Sequence, residues 1–250
     1  MRLDQIKTPI PIAHRGYNIH YPENTLASIG AAIKNGAQVV EFDVSFSKDR
    51  QLIVIHDETL DRTTNGTGKI SDFTFDQLRA LDAGSWFDPK FQSEKLPTLD
   101  EILDLVGNNA VINIEIKEEY YEEDGQPDSI EQKVLKTVRE KNLMDSVLIS
   151  SFEIRYLERL SKQKTIPALA FISRKPADLS VVKRCVELGL YSWNPWHSVL
   201  TKEQVEAMHS AGIKVFTFTV NEIEEYKNLL NIGVDGVFSD DFLKLKNALG

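Results

Sequence analysis

Short apolar runs rich in β-branched residues recur along the chain, and segments with helical spacing of apolar positions separate them. The runs predict eight strands at residues 10–13, 38–46, 110–116, 147–150, 168–171, 190–193, 214–219 and 236–238. A further run at residues 52–55 predicts an added strand paired near the second. Strict alternation of strand and helix favours a parallel sheet, and eight units favour closure into an α/β, (β/α)8 TIM barrel.

The helical segments follow the strands in the order that such a barrel requires. They are expected at residues 25–35, 99–106, 129–141, 153–162, 179–188, 202–211, 223–230 and 242–249. Residues 57–97 are too many and too polar for one connection, and they include a turn-rich stretch and an amphipathic turn of helix. The chain is therefore predicted to be a single domain over residues 1–250, with a small inserted subdomain at about 57–97 after the second strand.

Composition is that of an ordinary globular protein, with 42% hydrophobic and 27% charged residues in 250. The net charge of −9 argues against nucleic acid or an anionic membrane as a partner, because both select for clustered Lys and Arg. Cys185 is the only cysteine, so no intrachain disulfide can form. The N-terminus lacks an apolar signal region and no run approaches transmembrane length, so a cytoplasmic protein without a stable membrane anchor is expected.

The run Val39-Val40-Glu41-Phe42-Asp43-Val44 carries two carboxylates where a buried strand would normally be apolar. Alternate side chains of a strand share a face, so Glu41 and Asp43 point one way and Phe42 the other. Taken alone, the pair fits an edge strand with one solvated face equally well. Other strand ends decide the matter, because a parallel barrel gathers its chemistry at the carboxyl ends of its strands.

Polar side chains close four of the predicted strands. They are His14, Arg15, Glu41, Asp43, His56, Glu115 and Lys117. Three carboxylates, two histidines and two cations are what a metal-assisted phosphoryl site contains, and oxygen ligands of this type suit a hard cation such as Mg²⁺ or Ca²⁺.

Several motifs resemble the glycerophosphodiester phosphodiesterase family in their order and spacing. They are His14-Arg15-Gly16, Pro22-Glu23-Asn24-Thr25, Glu41-Phe42-Asp43, His56-Asp57, Glu115-Ile116-Lys117 and Gly233-Val234-Asp235-Gly236. The resemblance spans almost the whole chain. Two stretches depart from the family: Phe218 to Asn221, where a tryptophan is frequent, and Ser239-Asp240-Asp241, where a Thr-Asp pair is usual. Neither stretch is expected to touch the metal ligands or the histidines.

The resemblance implies that Glu41, Asp43 and Glu115 hold one divalent cation, Mg²⁺ or Ca²⁺. It also implies that His14 and His56 act as general acid and base, without saying which is which. Arg15 and Lys117 would contact the phosphate, although pairing with the acids is compatible with that role. Of the two residues before the first helix, Asn24 is expected to cap it and Glu23 to support the site.

The implied reaction is hydrolysis of a glycerophosphodiester to sn-glycerol 3-phosphate and an alcohol, with either water or a neighbouring glycerol hydroxyl as the attacking group. Phe152, Trp193, Trp196 and Phe218 could wall the alcohol pocket, although aromatic residues at strand ends are more often core. One alternative is a lysophospholipase D-type hydrolase, which should show an apolar rim that the sequence does not reveal. The other is a non-catalytic binding protein on the same barrel. The partner is a small molecule in the main hypothesis, and the oligomeric state is unknown.

Overall fold

Eight parallel strands close into a ring in the computed structural model, which describes residues 1–123 and 125–248. The strands are β1 Ile10–Ala13, β2 Val39–Phe46, β3 Leu52–Val54, β4 Val111–Ile116, β5 Val147–Ser151, β6 Ala168–Ser173, β7 Ser192–Pro195, β8 Lys214–Thr217 and β9 Gly236–Ser239. They follow the order β1-β9-β8-β7-β6-β5-β4-β2, and pairing of β1 with β2 closes the ring. β3 runs antiparallel beside β2. The predicted (β/α)8 barrel with one added strand is confirmed.

A helix covers the ring after each barrel strand. The helices are α1 Leu26–Lys34, α2 Phe75–Ala80, α3 Leu99–Val106, α4 Ile130–Glu140, α5 Ile154–Leu160, α6 Leu179–Glu187, α7 Lys202–Ser210, α8 Ile223–Asn231 and α9 Phe242–Asn247. The last segment was predicted to reach Leu249, which lies outside the described residues. Within those residues, no helix has the length and hydropathy that a membrane crossing requires.

Two apolar clusters lie on opposite sides of the barrel wall. The larger one joins the helices to the outward side chains of the strands, which include Val40, Phe42 and Val44 of β2. The smaller one fills the inside of the ring and includes Val39 of β2 and Val111 of β4. Because strand side chains alternate, the residues that follow Val39 on its face, Glu41 and Asp43, point into the barrel above this apolar plug.

The added strand returns the chain to the mouth of the barrel. β2 continues past Asp43 to Phe46, and β3 then pairs with its far end, with Val54 opposite Val44. The Ile55 N–H donates to the Asp43 carbonyl at 3.1 Å, so residues 56 and 57 lie at the level of Asp43. Residues 57–97 follow and pack around their own cluster, which includes Leu60, Ile70 and Leu78. This cluster supports the prediction of an inserted subdomain within one domain, which stays a prediction.

The outward facing of Phe42 predicts a stability effect. Phe42 is fully buried between β2 and the helix layer, so Phe42→Ala should lower the free energy of unfolding by about 3–5 kcal/mol through lost burial and a cavity. Urea denaturation followed by circular dichroism measures this change. Val186→Ala, at a position that is 51% exposed, is the control and should change stability by about 0.5 kcal/mol or less. An unchanged midpoint for Phe42→Ala would contradict the facing of β2.

Candidate active site

Three carboxylates converge at the carboxyl end of β2 and β4. Asp43 and Glu115 are register partners on these neighbouring strands, and Glu41 precedes Asp43 by two positions on the same face. One oxygen from each of the three side chains can be chosen so that all lie within 4.8 Å of one another. Glu41 and Asp43 are only 2% and 1% exposed. The solvated edge strand that the sequence left open is therefore excluded, because β2 lies between β1 and β4.

The electrostatics of the cluster show an excess of buried negative charge. Burial, together with the charges of Asp43 and Glu115, raises the pKa of Glu41 well above its ordinary value. Burial also raises the pKa of Glu115. Burial acts in the same direction on Asp43, but Lys117 and Arg15 outweigh it and hold the pKa of Asp43 below its ordinary value. Hard oxygen donors with uncompensated charge fit a divalent cation, which Glu41, Asp43 and Glu115 could hold.

The two basic side chains predicted for the site, Lys117 and Arg15, lie directly against the acids. Lys117 Nζ is 3.1 Å from Glu115 Oε1 and 3.5 Å from Asp43 Oδ1. Arg15 Nε is 3.5 Å from Asp43 Oδ2, and the Arg15 backbone N–H donates to Glu41 Oε2 at 2.9 Å. Burial acts to lower the pKa of Lys117, but the charges of Asp43 and Glu115 raise it above its ordinary value. Both cations therefore stay charged beside the cluster.

Two residues of the β1–α1 connection shape this side of the site. Gly16 adopts φ +85°, and a Cβ there would lie 2.3 Å from Ser28 Oγ, so only glycine lets the chain pass the start of α1. Asn24 does not cap the helix as expected, because Thr25 is the N-cap and accepts from the Ser28 N–H. The Asn24 side chain instead donates from Nδ2 to Asp43 Oδ2 at 2.9 Å, which fixes that carboxylate.

His14 is paired with the carboxylate of Asp240, a residue that was not expected to contact the histidines. His14 Nδ1 is 2.7 Å from Asp240 Oδ1, which also accepts from Asn18 Nδ2 at 2.8 Å. Asn221 Nδ2 donates to Asp240 Oδ2 at 2.7 Å. The expectation that the Ser239-Asp240-Asp241 stretch touches neither histidine is therefore wrong. Burial acts to raise the pKa of Asp240, but His14 and the two amides hold it well below its ordinary value, so the carboxylate is ionised at neutral pH.

His56 has a carboxylate partner of the same kind. Its Nδ1 is 2.6 Å from Asp57 Oδ1. Hydrogen bonds from Arg62, and then from His56, lower the pKa of Asp57 to about 2 despite some desolvation. Asp57 is thus an ionised acceptor, and His56 Nδ1 carries the hydrogen between them. Sequence reasoning missed Arg62, because it lies in a polar, irregular segment without periodicity.

A cavity of about 230 Å³ opens above the acids, and both histidines line it. Phe152 and Phe218 also line it, with ring centroids 5.8 Å apart. Trp193 does not, since it is fully buried and donates from Nε1 to Ser173 Oγ. Trp196 is 43% exposed and also lies outside the cavity lining. All seven predicted site residues thus meet at the barrel mouth, and their roles stay predictions.

The floor of the cavity carries buried polar atoms that have no hydrogen-bond partner in the described part of the chain. They are Asn113 Oδ1 on β4 and Asn194 Nδ2 on β7. Both side chains are at most 1% exposed. An unpaired buried amide is costly, so the floor is suited to a ligand with polar groups.

Comparison with known proteins matches nearly the whole chain to one family. The sequence profile of the glycerophosphoryl diester phosphodiesterase family matches residues 14–244. A glycerophosphodiester phosphodiesterase from Caldanaerobacter subterraneus subsp. tengcongensis is 37% identical over 92% of this chain and 93% of its own length. One from Bacillus subtilis is 33% identical over 96% of this chain and 87% of its own length.

Solved structures agree with these relatives. A phosphodiesterase from Oleispira antarctica, in complex with the product sn-glycerol-3-phosphate, matches with a TM-score of 0.88 at 32% identity, covering 97% of each chain. A glycerophosphodiester phosphodiesterase from Agrobacterium tumefaciens matches with a TM-score of 0.77 at 28% identity, covering 93% of this chain and 97% of its own. The chain belongs to the glycerophosphodiester phosphodiesterase family of phosphoric diester hydrolases.

Proposed function

We propose that the chain hydrolyses glycerophosphodiesters to sn-glycerol 3-phosphate and an alcohol in the cavity at the barrel mouth. The observation that carries this proposal is a pair of carboxylate-bound histidines, His14 and His56, that line one small cavity with an acidic cluster beneath. Phosphodiester cleavage needs proton transfer at two oxygens and positive charge near the phosphate. The Oleispira antarctica relative, seen with sn-glycerol-3-phosphate as product, supports this substrate class.

One divalent cation, Mg²⁺ or Ca²⁺, would be held by Glu41, Asp43 and Glu115. When bound, it supplies positive charge that stabilises the charge developing on the phosphate oxygens. Both ions take carboxylate oxygens, and the donor set suits either of them.

Arg15 and Lys117 are proposed to bind the phosphate from the side of the cluster. Arg15 lines the cavity, and its buried Nε has no hydrogen-bond partner in the described residues. Its planar fork can donate to two phosphate oxygens, while the Lys117 ammonium acts as a point charge. Both side chains are held in place by the acids before substrate arrives, so binding requires little rearrangement.

The two histidines are proposed to move the protons. Because ionised Asp240 and Asp57 can only accept, each Nδ1 donates to its carboxylate and each Nε2 is left for the substrate. One imidazole takes the proton of the attacking oxygen, and the other donates a proton to the departing alkoxide. The two carboxylates fix the ring orientation and the tautomer, and the geometry leaves the two roles interchangeable.

A second candidate substrate class is the lysophospholipids. Leu179 is 84% exposed, Ile19 50% and Trp196 43%, and each follows a barrel strand on the face where the cavity opens. The sequence alone does not reveal an apolar rim, and these three exposed side chains are the structural observation that bears on it. They favour contact with an acyl chain, whereas the small cavity and its polar floor favour a hydrophilic diester. The relatives named as phosphodiesterases favour either enzyme over a non-catalytic binding protein.

Substitution of either histidine tests the proton-transfer roles. His14→Gln and His56→Gln should each lower kcat for glycerophosphocholine by about 10²–10⁴-fold, since each removes one general acid or base. The control is His209→Gln, because His209 also pairs with a carboxylate, at 2.8 Å from Asp235, but lies outside the cavity. It should keep the wild-type rate. A full rate in either cavity variant would remove that histidine from the mechanism.

Glu41→Gln tests the cation site by stability and without turnover. Because the pKa of Glu41 is raised by folding, its contribution to stability is fully present at pH values below the ordinary pKa of a glutamate. That contribution is lost as the pH rises through the raised pKa. At pH 7 in EDTA, the variant should therefore melt above the wild type. Near pH 4 the difference should disappear. Differential scanning calorimetry measures both.

The same variant should not respond to divalent cations. At a cation concentration of about 100 Kd, the wild type should gain about 2.7 kcal/mol, or about 5–10 °C. Glu131→Gln is a matched control, because Glu131 is a fully buried glutamate that pairs with Arg159 on the outside of the barrel. It should keep the cation-dependent shift. A shift in Glu41→Gln equal to that of the wild type would exclude Glu41 as a ligand.

Relative turnover of glycerophosphocholine and lysophosphatidylcholine decides between the two substrate classes. The proposal predicts at least about tenfold higher kcat/KM for the water-soluble diester, a difference of about 1.4 kcal/mol in transition-state binding. Leu179→Ser with Trp196→Ser should leave that value unchanged. Higher kcat/KM for the lysolipid, lost in the double variant, would instead establish the second candidate.

A further inference from the structure

Arg62 holds two carboxylates of the site at once. It lies at the start of the inserted segment, six positions after His56. Its Nε and Nη2 donate to Asp57 Oδ2 and Oδ1 at 2.7 and 2.9 Å. Its Nη1 and Nη2 donate to Glu23 Oε2 and Oε1 at 2.7 and 2.8 Å. The guanidinium therefore makes two bidentate contacts, the geometry in which an arginine gives most directional control.

Each of these carboxylates has its other partner inside the proposed site. Asp57 Oδ1 is 2.6 Å from His56 Nδ1, and Glu23 Oε1 accepts from Arg15 Nη1 at 2.9 Å. Charge alternates along the connected side chains Asp57, Arg62, Glu23 and Arg15, and His56 is joined to the Asp57 end. We infer that Arg62 is a positioning residue that fixes the His56 imidazole and the Arg15 guanidinium relative to each other.

The position of His56 explains why it needs this support. His14 follows a barrel strand, and Asp240, its partner, is held by amides of Asn18 and Asn221 from neighbouring connections. His56 instead follows β3, which pairs with β2 outside the ring and has one further bridge, from Ile53 to Thr98. Among the described residues, the hydrogen bonds to Asp57 come from His56 and from Arg62, so a side chain of the insertion takes the place of the two amides.

The exposure of Arg62 separates a positioning role from a stabilising one. Its side chain is 44% exposed, and ion pairs at such positions contribute little to stability because water and salt screen them. Misplacement of a catalytic group by about 1 Å can nevertheless lower the rate by about 10²-fold. Loss of Arg62 should therefore affect kinetics much more than melting temperature.

A matched pair of arginine substitutions tests this inference, which rests on the proposed roles of His56 and Arg15. The cation-loaded full chain would be assayed on glycerophosphocholine as Arg62→Gln, Arg62→Lys and Arg79→Gln. Arg79 is the control, because it lies in the same segment and also makes a bidentate pair, with Glu101 at 2.8 and 2.5 Å. Arg62→Gln should lose about 10- to 100-fold in kcat/KM, and Arg79→Gln less than twofold. Both should melt within a few degrees of each other, and Arg62→Lys should recover part of the activity.

The separate kinetic constants identify the route of the effect. Asp57→Asn should lower mainly kcat through His56, and Glu23→Gln should raise mainly KM through Arg15, while Arg62→Gln should do both. Adding Arg62→Gln to the Asp57→Asn, Glu23→Gln double variant should change little further, because both bidentate contacts between Arg62 and a carboxylate are already gone.

Two results would overturn the inference. One is an Arg62→Gln activity equal to that of Arg79→Gln, and the other is an undiminished effect of Arg62→Gln in the double variant. The wild type and His56→Gln, run in parallel, distinguish these results from failure of the proposed function. If the wild type does not turn over glycerophosphocholine, the proposed function falls. If His56→Gln keeps the wild-type rate, the role of His56 falls and the inference with it, whereas if His56→Gln is slow and Arg62→Gln is normal, only the inference falls.

Discussion

Desolvated negative charge at the end of two neighbouring strands is the constraint around which the site is arranged. Asp43 and Glu115 stand opposite each other in register, with Glu41 one step deeper on the same face. Carboxylates this close and this buried repel one another and disfavour ionisation. Lys117, two positions beyond Glu115, and Arg15, from the β1–α1 connection, offset two of the three charges. The remaining charge is why the three carboxylates could hold a metal ion.

The rest of the barrel keeps this charge in place. Below the acids, the apolar plug that includes Val39 and Val111 closes the ring, and above them the cavity opens at the mouth. Outside the wall, Phe42 and its neighbours anchor the same strand to the helices. One strand thus presents acids to the inside and apolar side chains to the outside, and its two faces serve chemistry and stability separately. A one-residue slip of β2 would exchange them, which the burial of Phe42 opposes.

Sequence patterns of two kinds were sufficient for the barrel and for the acidic cluster. Strand and helix alternation gave the architecture, and the rule that barrel chemistry gathers at strand ends brought Glu41 and Glu115 together across 74 positions of sequence. The alternation of side chains within a strand also predicts which way Trp193 faces. Ser192 and Asn194 share a face, since the Ser192 hydroxyl donates to Asn194 Oδ1, and Asn194 lines the cavity, so Trp193 between them faces the helices. The contacts of Asp240 with His14 span 226 positions, and no local pattern encodes them.

The two histidines show how the site divides between the ring and the insertion. Both present Nδ1 to an ionised carboxylate, yet Asp240 is held by neutral amides and Asp57 by the charged fork of Arg62. Charge-assisted contacts are stronger but depend on solvent and salt, whereas amide contacts between ring connections depend on the barrel itself. The orientation of His14 thus depends on connections of the barrel, and the orientation of His56 depends on the insertion. Changes in residues 57–97 can therefore reorient Asp57 and His56 while the acidic cluster stays intact, because Arg62 of the insertion contacts Asp57 and the three acids lie on β2 and β4.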